Sequence, residues 1–447
     1  MNESNGFQPR LVGSTANIYQ GPPADTARRE AVKLEFEGKD PALEITARST
    51  TTQLRCDTNY FKSAQWSPDG TTILSSSADK TLRSFVLPSD LLSPDAASPR
   101  TLTPYALHRL PETVYATTFH PAYALQEPSS CLILASPCSL PIRLFSPFAP
   151  GILASYPLVS PTTEAYITPH SLLFSAENPN HFLAGSDSQL SVFDVNRNGE
   201  GPISKLWTTA SRRNHNAMGT GMKGIVSAMA MGGGGLLAAG TFTRWVGLYD
   251  GFGRGGEVGV FSVASTEQEE EGSDGIGITQ VLWSHCGRYL CTVERSSNGI
   301  GVWDVRGTGK KLAWLNGRKA MTRQRLSVDV MGGEVWAGGT DGTVRVWEGL
   351  GMTEGVVDPK WKFHAHGDVV TSTVLHPTGS VMATCSGQRH YPASLNFGSE
   401  EIESDTDSSD ATSQSSRSSP STQSSMSTDS DAGPARAFDN SLKIWAL

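Results

Sequence analysis

The stretch AQWSPDGTTILSSSADKTLRSFVL at residues 64–87 contains three short runs of alternating apolar and polar residues, separated by two turns. Side chains of neighbouring strand residues point to opposite faces, so each run predicts a strand that packs against neighbouring sheets. The turn sequences, SPDG at 67–70 and ADK at 78–80, contain residue types that favour chain reversal. The stretch therefore predicts an antiparallel three-stranded meander.

The same unit recurs about every 45 residues, which is typical of a β-propeller of WD40 type. Clear copies are ITQVLWSHCGRYLCTVERSSNGIGVWDV at 278–305 and residues 369–384, continued by SLKIWAL at 441–447. The third run of each unit ends in an aromatic residue: Phe85, Phe145, Phe193, Tyr249, Trp303, Trp347 and Trp445. These counts predict an all-β, seven-bladed WD40 β-propeller over residues 42–447.

Closure of the ring needs one strand from outside the repeats. The chain ends soon after Trp445, so the last blade is expected to take its fourth strand from the N-terminal region. Residues 42–54 (ALEITARSTTTQL) alternate and are rich in Thr, and we predict that they pair onto the last blade. A closed ring leaves no sheet edge open to aggregation.

Two segments have compositions that do not predict a packed core. Residues 1–41 are polar with mixed charge and predict a disordered N-terminal arm. Residues 398–436 contain fourteen Ser and eight acidic residues against two Arg, and predict a disordered acidic insertion within the last blade. Ser404, Ser408 and Ser409 lie beside acidic residues and resemble the substrate sites of acidophilic kinases. The alternative is that the insertion is only a solvated spacer.

Several function classes are not supported by the sequence. No apolar stretch approaches the length of a membrane span, and the N-terminus lacks a secretory pattern. We find no catalytic motif; GGGG at 232–235 lacks the Lys of a phosphate loop and is interpreted as a turn. We therefore expect no catalytic residue, no cofactor and no small-molecule substrate. His366 is expected to bond within its blade, and the six scattered cysteines are interpreted as buried thiols instead of metal ligands.

Basic loops are expected on the top face, defined as the ring face that carries the blade-to-blade crossings and the turns between second and third runs. The crossings at 211–224 and 316–325 are rich in Arg and Lys, and nearby turns add aromatic and polar residues. Cations near aromatic rings suit single-stranded RNA, although solvated charge or an acidic protein partner fits them as well. The candidate RNA-binding residues are Arg212, Arg213, Lys223, Phe242, Arg244, Trp245, Arg318, Lys319, Arg323, Arg325, Gln388 and Arg389.

The first and last blades resemble those of the telomerase Cajal body protein family. In the first blade the resemblance is carried by FKSAQWSPDG at 61–70, followed by ILS at 73–75. In the last blade it is carried by LHP at 375–377 and ATCSGQR at 383–389, before Tyr391-Pro392 and the acidic insertion. The Trp-Ser-Pro-Asp-Gly piece is common among WD40 proteins, whereas Ser-Gly-Gln-Arg before an acidic break is more specific.

The resemblance implies a non-enzymatic scaffold that binds small Cajal body RNAs, including telomerase RNA, and supports ribonucleoprotein assembly. It implies a nuclear location, in Cajal bodies or nucleoplasm, with a cytoplasmic pool as the alternative. It also implies that the protein is a monomer within a larger complex that contains ribonucleoprotein proteins. A role with spliceosomal RNA and a protein-only interaction hub stay open. A G-protein β-like subunit is disfavoured because residues 1–41 contain Pro22 and Pro23 and no heptads.

Overall fold

The computed structural model describes residues 8–17, 59–93, 99–209, 221–264, 275–307, 309–390 and 439–447. Residues 42–54, the acidic insertion at 398–436, most of 1–41, Arg212 and Arg213 lie outside the described residues. The described ranges contain no helix long and apolar enough to cross a membrane.

The described chain forms seven sheets, each a propeller blade built on antiparallel strands that follow one another in sequence. Two short segments, Arg100–Thr101 and Gly355–Val357, add parallel edge strands to blades 7 and 5. Only the seventh blade is completed from the N-terminal side, by β1 (Arg10–Ser14). Blades 1 to 3 contain β2 (Phe61–Trp66), β3 (Thr72–Ser77), β4 (Thr81–Val86) and, after the short β5 (Arg100–Thr101), β6 (Ala106–Arg109); then β7 (Val114–Phe119), β8 (Ile133–Pro137), β9 (Ile142–Ser146) and β10 (Ala149–Tyr156); then β11 (Ser171–Phe174), β12 (His181–Ser186), β13 (Gln189–Asp194) and β14 (Ser204–Trp207).

Blades 4 to 7 continue the same pattern. They contain β15 (Val226–Met231), β16 (Leu237–Thr241), β17 (Trp245–Tyr249) and β18 (Glu257–Ser262); then β19 (Ile278–Trp283), β20 (Tyr289–Glu294), β21 (Ile300–Asp304) and β22 (Lys311–Leu315); then β23 (Val328–Met331), β24 (Glu334–Gly338), β25 (Thr343–Trp347) and, after β26 (Gly355–Val357), β27 (Trp361–His364); then β28 (Val370–Leu375), β29 (Val381–Ser386) and β30 (Leu442–Ala446). The predicted seven-bladed all-β propeller is confirmed. Each of the seven aromatic residues counted in the sequence lies in the third strand of its blade.

The hydrophobic core is divided into seven main clusters, each lying between two neighbouring blades. Successive residues of one strand enter different clusters: Ile73 packs between blades 7 and 1, while Leu74 packs between blades 1 and 2. This is the two-residue alternation that the sequence predicts. Burial of each large side chain contributes about 1.5–3 kcal/mol, so the blades depend on one another for stability.

The histidine expected to bond within its blade does so. The fully buried His366 ring lies 3.2 Å from Asp439 Oδ2 and 2.7 Å from Thr384 Oγ1, and Trp445 Nε1 donates to the same hydroxyl at 2.8 Å. The network joins the second and third strands of blade 7 to the crossing that precedes the blade. Its charged member, Asp439, also accepts the backbone N–H of Gly367 at 2.9 Å.

The ring is closed by β1, which pairs antiparallel with β30 and brings Leu11 opposite Trp445. An N-terminal strand therefore closes the propeller as predicted, but the prediction that residues 42–54 supply it is wrong, because Arg10–Ser14 fill that position. The expected disordered arm is likewise wrong for these five residues. A strand this short offers too little alternation for a pattern in the sequence, and its stability comes from the apolar surfaces of blades 7 and 1.

We predict that Val12→Asp lowers the free energy of unfolding by about 3–5 kcal/mol, because Val12 is only 4% exposed and the new carboxylate has no partner. Arg10→Asp, on the exposed start of the same strand, is the matched control and is expected to change stability by no more than about 0.5 kcal/mol. Urea unfolding of the full chain measures both. Equal effects of the two substitutions would contradict closure by this strand.

Candidate nucleic-acid interface

The first strands of five blades share an irregularity that directs side chains toward the ring axis. In β2, for example, Phe61 pairs with Ser77 and Ser63 with Ser76, which leaves Lys62 without a strand partner. The same register shift falls at the second residue of β7, β15, β19 and β28. A β-bulge re-aims the side chain of its extra residue. The bulges in the first four of these strands therefore place Lys62, Tyr115, Ser227 and Thr279 on the wall of one cavity.

This cavity, which we call the channel mouth, occupies about 580 Å³ at the top of the central channel. Six blades contribute to its lining through their first strands and top-face loops. Four lining residues are cations, and none of the described lining residues is Asp or Glu: the cations are Lys62, Arg295, Arg323 and Arg325. The mouth is therefore strongly electropositive.

Arg325 reaches across the channel from the crossing between blades 5 and 6. Its Nη1 donates to the Tyr115 carbonyl of blade 2 at 3.3 Å, and its Nη2 donates to the Ser227 carbonyl of blade 4 at 3.1 Å. The two carbonyl oxygens accept hydrogen bonds from the Arg325 guanidinium, but they carry no full negative charge that would cancel its positive charge. Burial, followed by the nearby Arg295 cation, lowers the pKa of Arg325 to about 10, so the guanidinium stays charged at neutral pH.

Phe242 lies close to two of the three arginines of the mouth. The Cζ atom of Arg295 lies 4.6 Å from the centroid of the Phe242 ring, and that of Arg325 lies 5.7 Å from it. Both distances fall within the range of cation–π attraction. The Nε of Arg295 is buried and has no hydrogen-bond partner among the described residues, and burial lowers the pKa of this guanidinium.

An aromatic pair borders the arginines. The Tyr115 and His170 rings stack with centroids 4.5 Å apart, and the His170 ring meets the edge of Phe242 at 5.7 Å. Burial first, and then Arg325 and Arg295, lower the pKa of His170 to about 4. The imidazole is therefore neutral at pH 7 and adds a flat, uncharged surface to the mouth.

Lys62 completes the cationic wall. Its Nζ donates to the Val114 carbonyl at 3.0 Å. Burial, followed by the Arg325 and Arg389 cations, lowers the pKa of Lys62 to about 8. The pKa of Lys62 is lowered, as are the pKa values of His170 and Arg325, because each additional proton is harder to hold among crowded cations.

The structure brings part of the predicted site together. Phe242, Arg323 and Arg325 line the channel mouth, and Arg389 lies close enough to influence Lys62. Gln388, beside Arg389, donates from Nε2 to Asp368 Oδ1 at 2.7 Å. Arg212 and Arg213 belong to the range outside the described residues.

Other predicted residues have different roles. Arg318 is 1% exposed and donates to the Leu326 carbonyl at 2.7 Å, so its prediction as an RNA contact is wrong: this guanidinium is part of the core under the crossing. Lys319 forms an ion pair with Asp341 at 3.5 Å, and Arg244 forms one with Glu294 at 2.8 Å. Trp245 packs half-buried against the cluster between blades 3 and 4, whereas Lys223 is exposed outside the mouth.

Sequence reasoning missed Lys62, Tyr115 and His170. All three occupy equivalent positions, at or just before the start of the first strand, where most blades carry Ser or Thr. Aligning the repeats and comparing the residue at this position was the way to find these three side chains from the sequence. In the described part of the chain, no group of three or more His, Cys, Asp or Glu side chains is arranged to hold a metal ion.

Comparison with known proteins agrees with the propeller. The family model described as WD domain, G-beta repeat matches residues 48–85 and 357–390. The chain is 30% identical over 369 residues to guanine nucleotide-binding protein negative regulator 1 of Schizosaccharomyces pombe, covering 80% of this chain and 86% of that protein.

Similarity to telomerase Cajal body protein 1 extends over most of the chain. The rat protein is 28% identical over 348 residues, covering 76% of this chain, and the mouse protein is 28% identical over 352 residues, covering 77%. The chain spans 61% and 62% of the lengths of these two relatives. The family resemblance drawn from the first and last blades is confirmed.

We predict that Arg295→Gln raises the pKa of His170 from about 4 toward its ordinary value, because one of the two cations that oppose its protonation is removed. Titration of the histidine ring signals by NMR measures the shift. Arg288→Gln, which removes an exposed cation from the opposite end of blade 5, is expected to leave His170 unchanged. An unchanged pKa in Arg295→Gln would contradict the electropositive mouth.

Proposed function

The chain belongs to the family of WD40 proteins that includes guanine nucleotide-binding protein negative regulator 1, and we propose that it is a non-enzymatic scaffold that binds RNA at the channel mouth. Its similarity to telomerase Cajal body protein 1 supports a small nuclear RNA of the Cajal body type as ligand. In this proposal the remaining surfaces of the propeller bind ribonucleoprotein proteins, and the protein works in the nucleus.

The observation that carries the proposal is the unbalanced charge of the mouth. Four cations face one cavity, and the described lining contains no carboxylate to neutralise them. An anionic ligand supplies the missing charge, and the phosphates of RNA do so in a regular row. Tyr115, His170 and Phe242 lie among the cations and offer the flat surfaces on which unpaired bases stack.

A second candidate function is regulation of a guanine nucleotide-binding protein, which the name of the fission yeast relative indicates for that protein. An acidic protein surface would also complement the cations of the mouth. The concave shape and the aromatic lining favour a thin strand with planar bases over a broad protein face. Spliceosomal RNA is a further alternative ligand for the same site.

Neutralising the mouth should weaken RNA binding. We predict that Lys62→Gln/Arg295→Gln/Arg323→Gln lowers affinity for a small nuclear RNA hairpin about 10- to 100-fold and reduces the slope of log K against log salt by about 2. Arg325 is kept because its bonds to two carbonyls hold the mouth together. Fluorescence anisotropy at several salt concentrations measures both quantities.

The matched control is Lys205→Gln/Lys310→Gln/Lys360→Gln, which removes the same charge from exposed positions outside the mouth. This control is expected to keep most of the affinity. If the two triple variants bind equally, general charge attraction explains the binding and the proposed site is wrong.

Affinity should also depend on pH through Lys62. The pKa of this lysine is about 8 in the free protein, and a bound phosphate restores it toward its ordinary value. Below pH 8 the lysine is charged in both states, so affinity stays level. Above pH 8 binding requires proton uptake, and affinity is expected to fall about tenfold by pH 9.

Lys62→Arg keeps the positive charge, and the guanidinium has a higher intrinsic pKa than the lysine amine. The substitution should therefore abolish the loss of affinity above pH 8. The same anisotropy titration between pH 6.5 and pH 9 tests the prediction. An identical loss in the wild type and in Lys62→Arg would assign the pH dependence to another group.

A further inference from the structure

We propose that the channel mouth holds a single nucleotide turned out of a single-stranded RNA segment, with its phosphate beside Arg295 and Arg325 and its base stacked on Tyr115. This inference rests on the proposed function and specifies how the site engages its ligand. The flanking nucleotides would follow the rim past Lys62, Arg323 and Arg389.

The dimensions of the mouth favour one nucleotide. Its volume of about 580 Å³ lies within the range of about 300–1,000 Å³ that is typical of small-ligand pockets. An RNA double helix is far too wide to enter a cavity walled by the first strands of the blades. An unpaired nucleotide of a loop can be splayed out and inserted, which is how proteins commonly read RNA.

The stacking surface is already arranged. His170 covers one face of the Tyr115 ring, with the ring planes 21° apart, and Tyr115 still remains 38% exposed. Part of the ring is therefore accessible to a base, and the stack with His170 restricts the motion of the ring. Loss of one base-stacking ring in single-strand binding proteins typically costs roughly 5- to 150-fold in affinity.

The phosphate position follows from the arginines. Arg295 Nε is buried and has no hydrogen-bond partner among the described residues, and the guanidinium groups of Arg295 and Arg325 both lie within 6 Å of the Phe242 ring, close enough for Arg295 to lower the pKa of Arg325. Buried guanidinium groups near each other are unfavourable until an anion lies between or beside them. A phosphate there would accept from the unsatisfied Arg295 Nε and relieve the repulsion between the two cations.

Photocrosslinking locates the inserted base. The probe is a pool of RNA hairpins with eight randomised loop positions that contain 4-thiouridine, bound to the full-length chain, irradiated and mapped by mass spectrometry. We expect crosslinks at Tyr115 or His170. We also expect Tyr115→Ala to weaken binding of the pool about 5- to 150-fold, and Tyr115→Phe, which keeps the ring, to bind as the wild type does.

Tyr105→Ala is the matched control, because Tyr105 is 54% exposed next to the outer strand of blade 1, outside the mouth. It is expected to leave binding unchanged. Salt-dependent binding with crosslinks confined to the outer rim, and no effect of Tyr115→Ala, would overturn the inserted nucleotide while leaving RNA binding intact. Failure of the wild type to bind the pool at low salt would overturn both the inference and the proposed function.

Discussion

Antiparallel pairing of Arg10–Ser14 with Leu442–Ala446 closes the ring, and the rest of the molecule depends on that contact. Closure joins blade 7 to blade 1, where Val12 packs with Phe61 and Ile444 in one cluster. Arg389 of blade 7 lowers the pKa of Lys62 of blade 1 because the closed ring makes these two blades neighbours. The charge of the channel mouth is thus a property of the closed ring.

The arginines of the propeller differ in how their charge is balanced. Arg83 and Arg345 each pair with an Asp four residues earlier, Asp79 and Asp341, and their charges are balanced within the blade. Arg325 instead donates to carbonyl groups and lies near Phe242 and a second cation. Burial of cations without carboxylates is unfavourable for folding. Arg318 also bonds to a carbonyl without a carboxylate, but its guanidinium is enclosed in the core, whereas Arg325 lines an open cavity where a ligand can supply the counter-charge.

The sequence predicted the fold well because alternation, turn residues and the terminal aromatics of the third runs all repeat. It did not locate β1, which is too short to show a pattern. Charge along the chain singled out Arg323 and Arg325, which the structure places at the mouth, but it did not distinguish them from Arg318 a few residues earlier, whose guanidinium turns into the core. Lys62 and Tyr115 were missed because bulges, which depend on strand pairing, re-aim their side chains.

The central claim is that the cations of the channel mouth hold an RNA in the cell. Ultraviolet crosslinking followed by RNA sequencing, performed in the native organism on the tagged wild type and on Lys62→Gln/Arg295→Gln/Arg323→Gln, tests it most directly. The account predicts that small nuclear RNA is recovered with the wild type and lost with the variant at equal protein levels. Equal recovery with both chains, or recovery of protein partners without RNA, would contradict it.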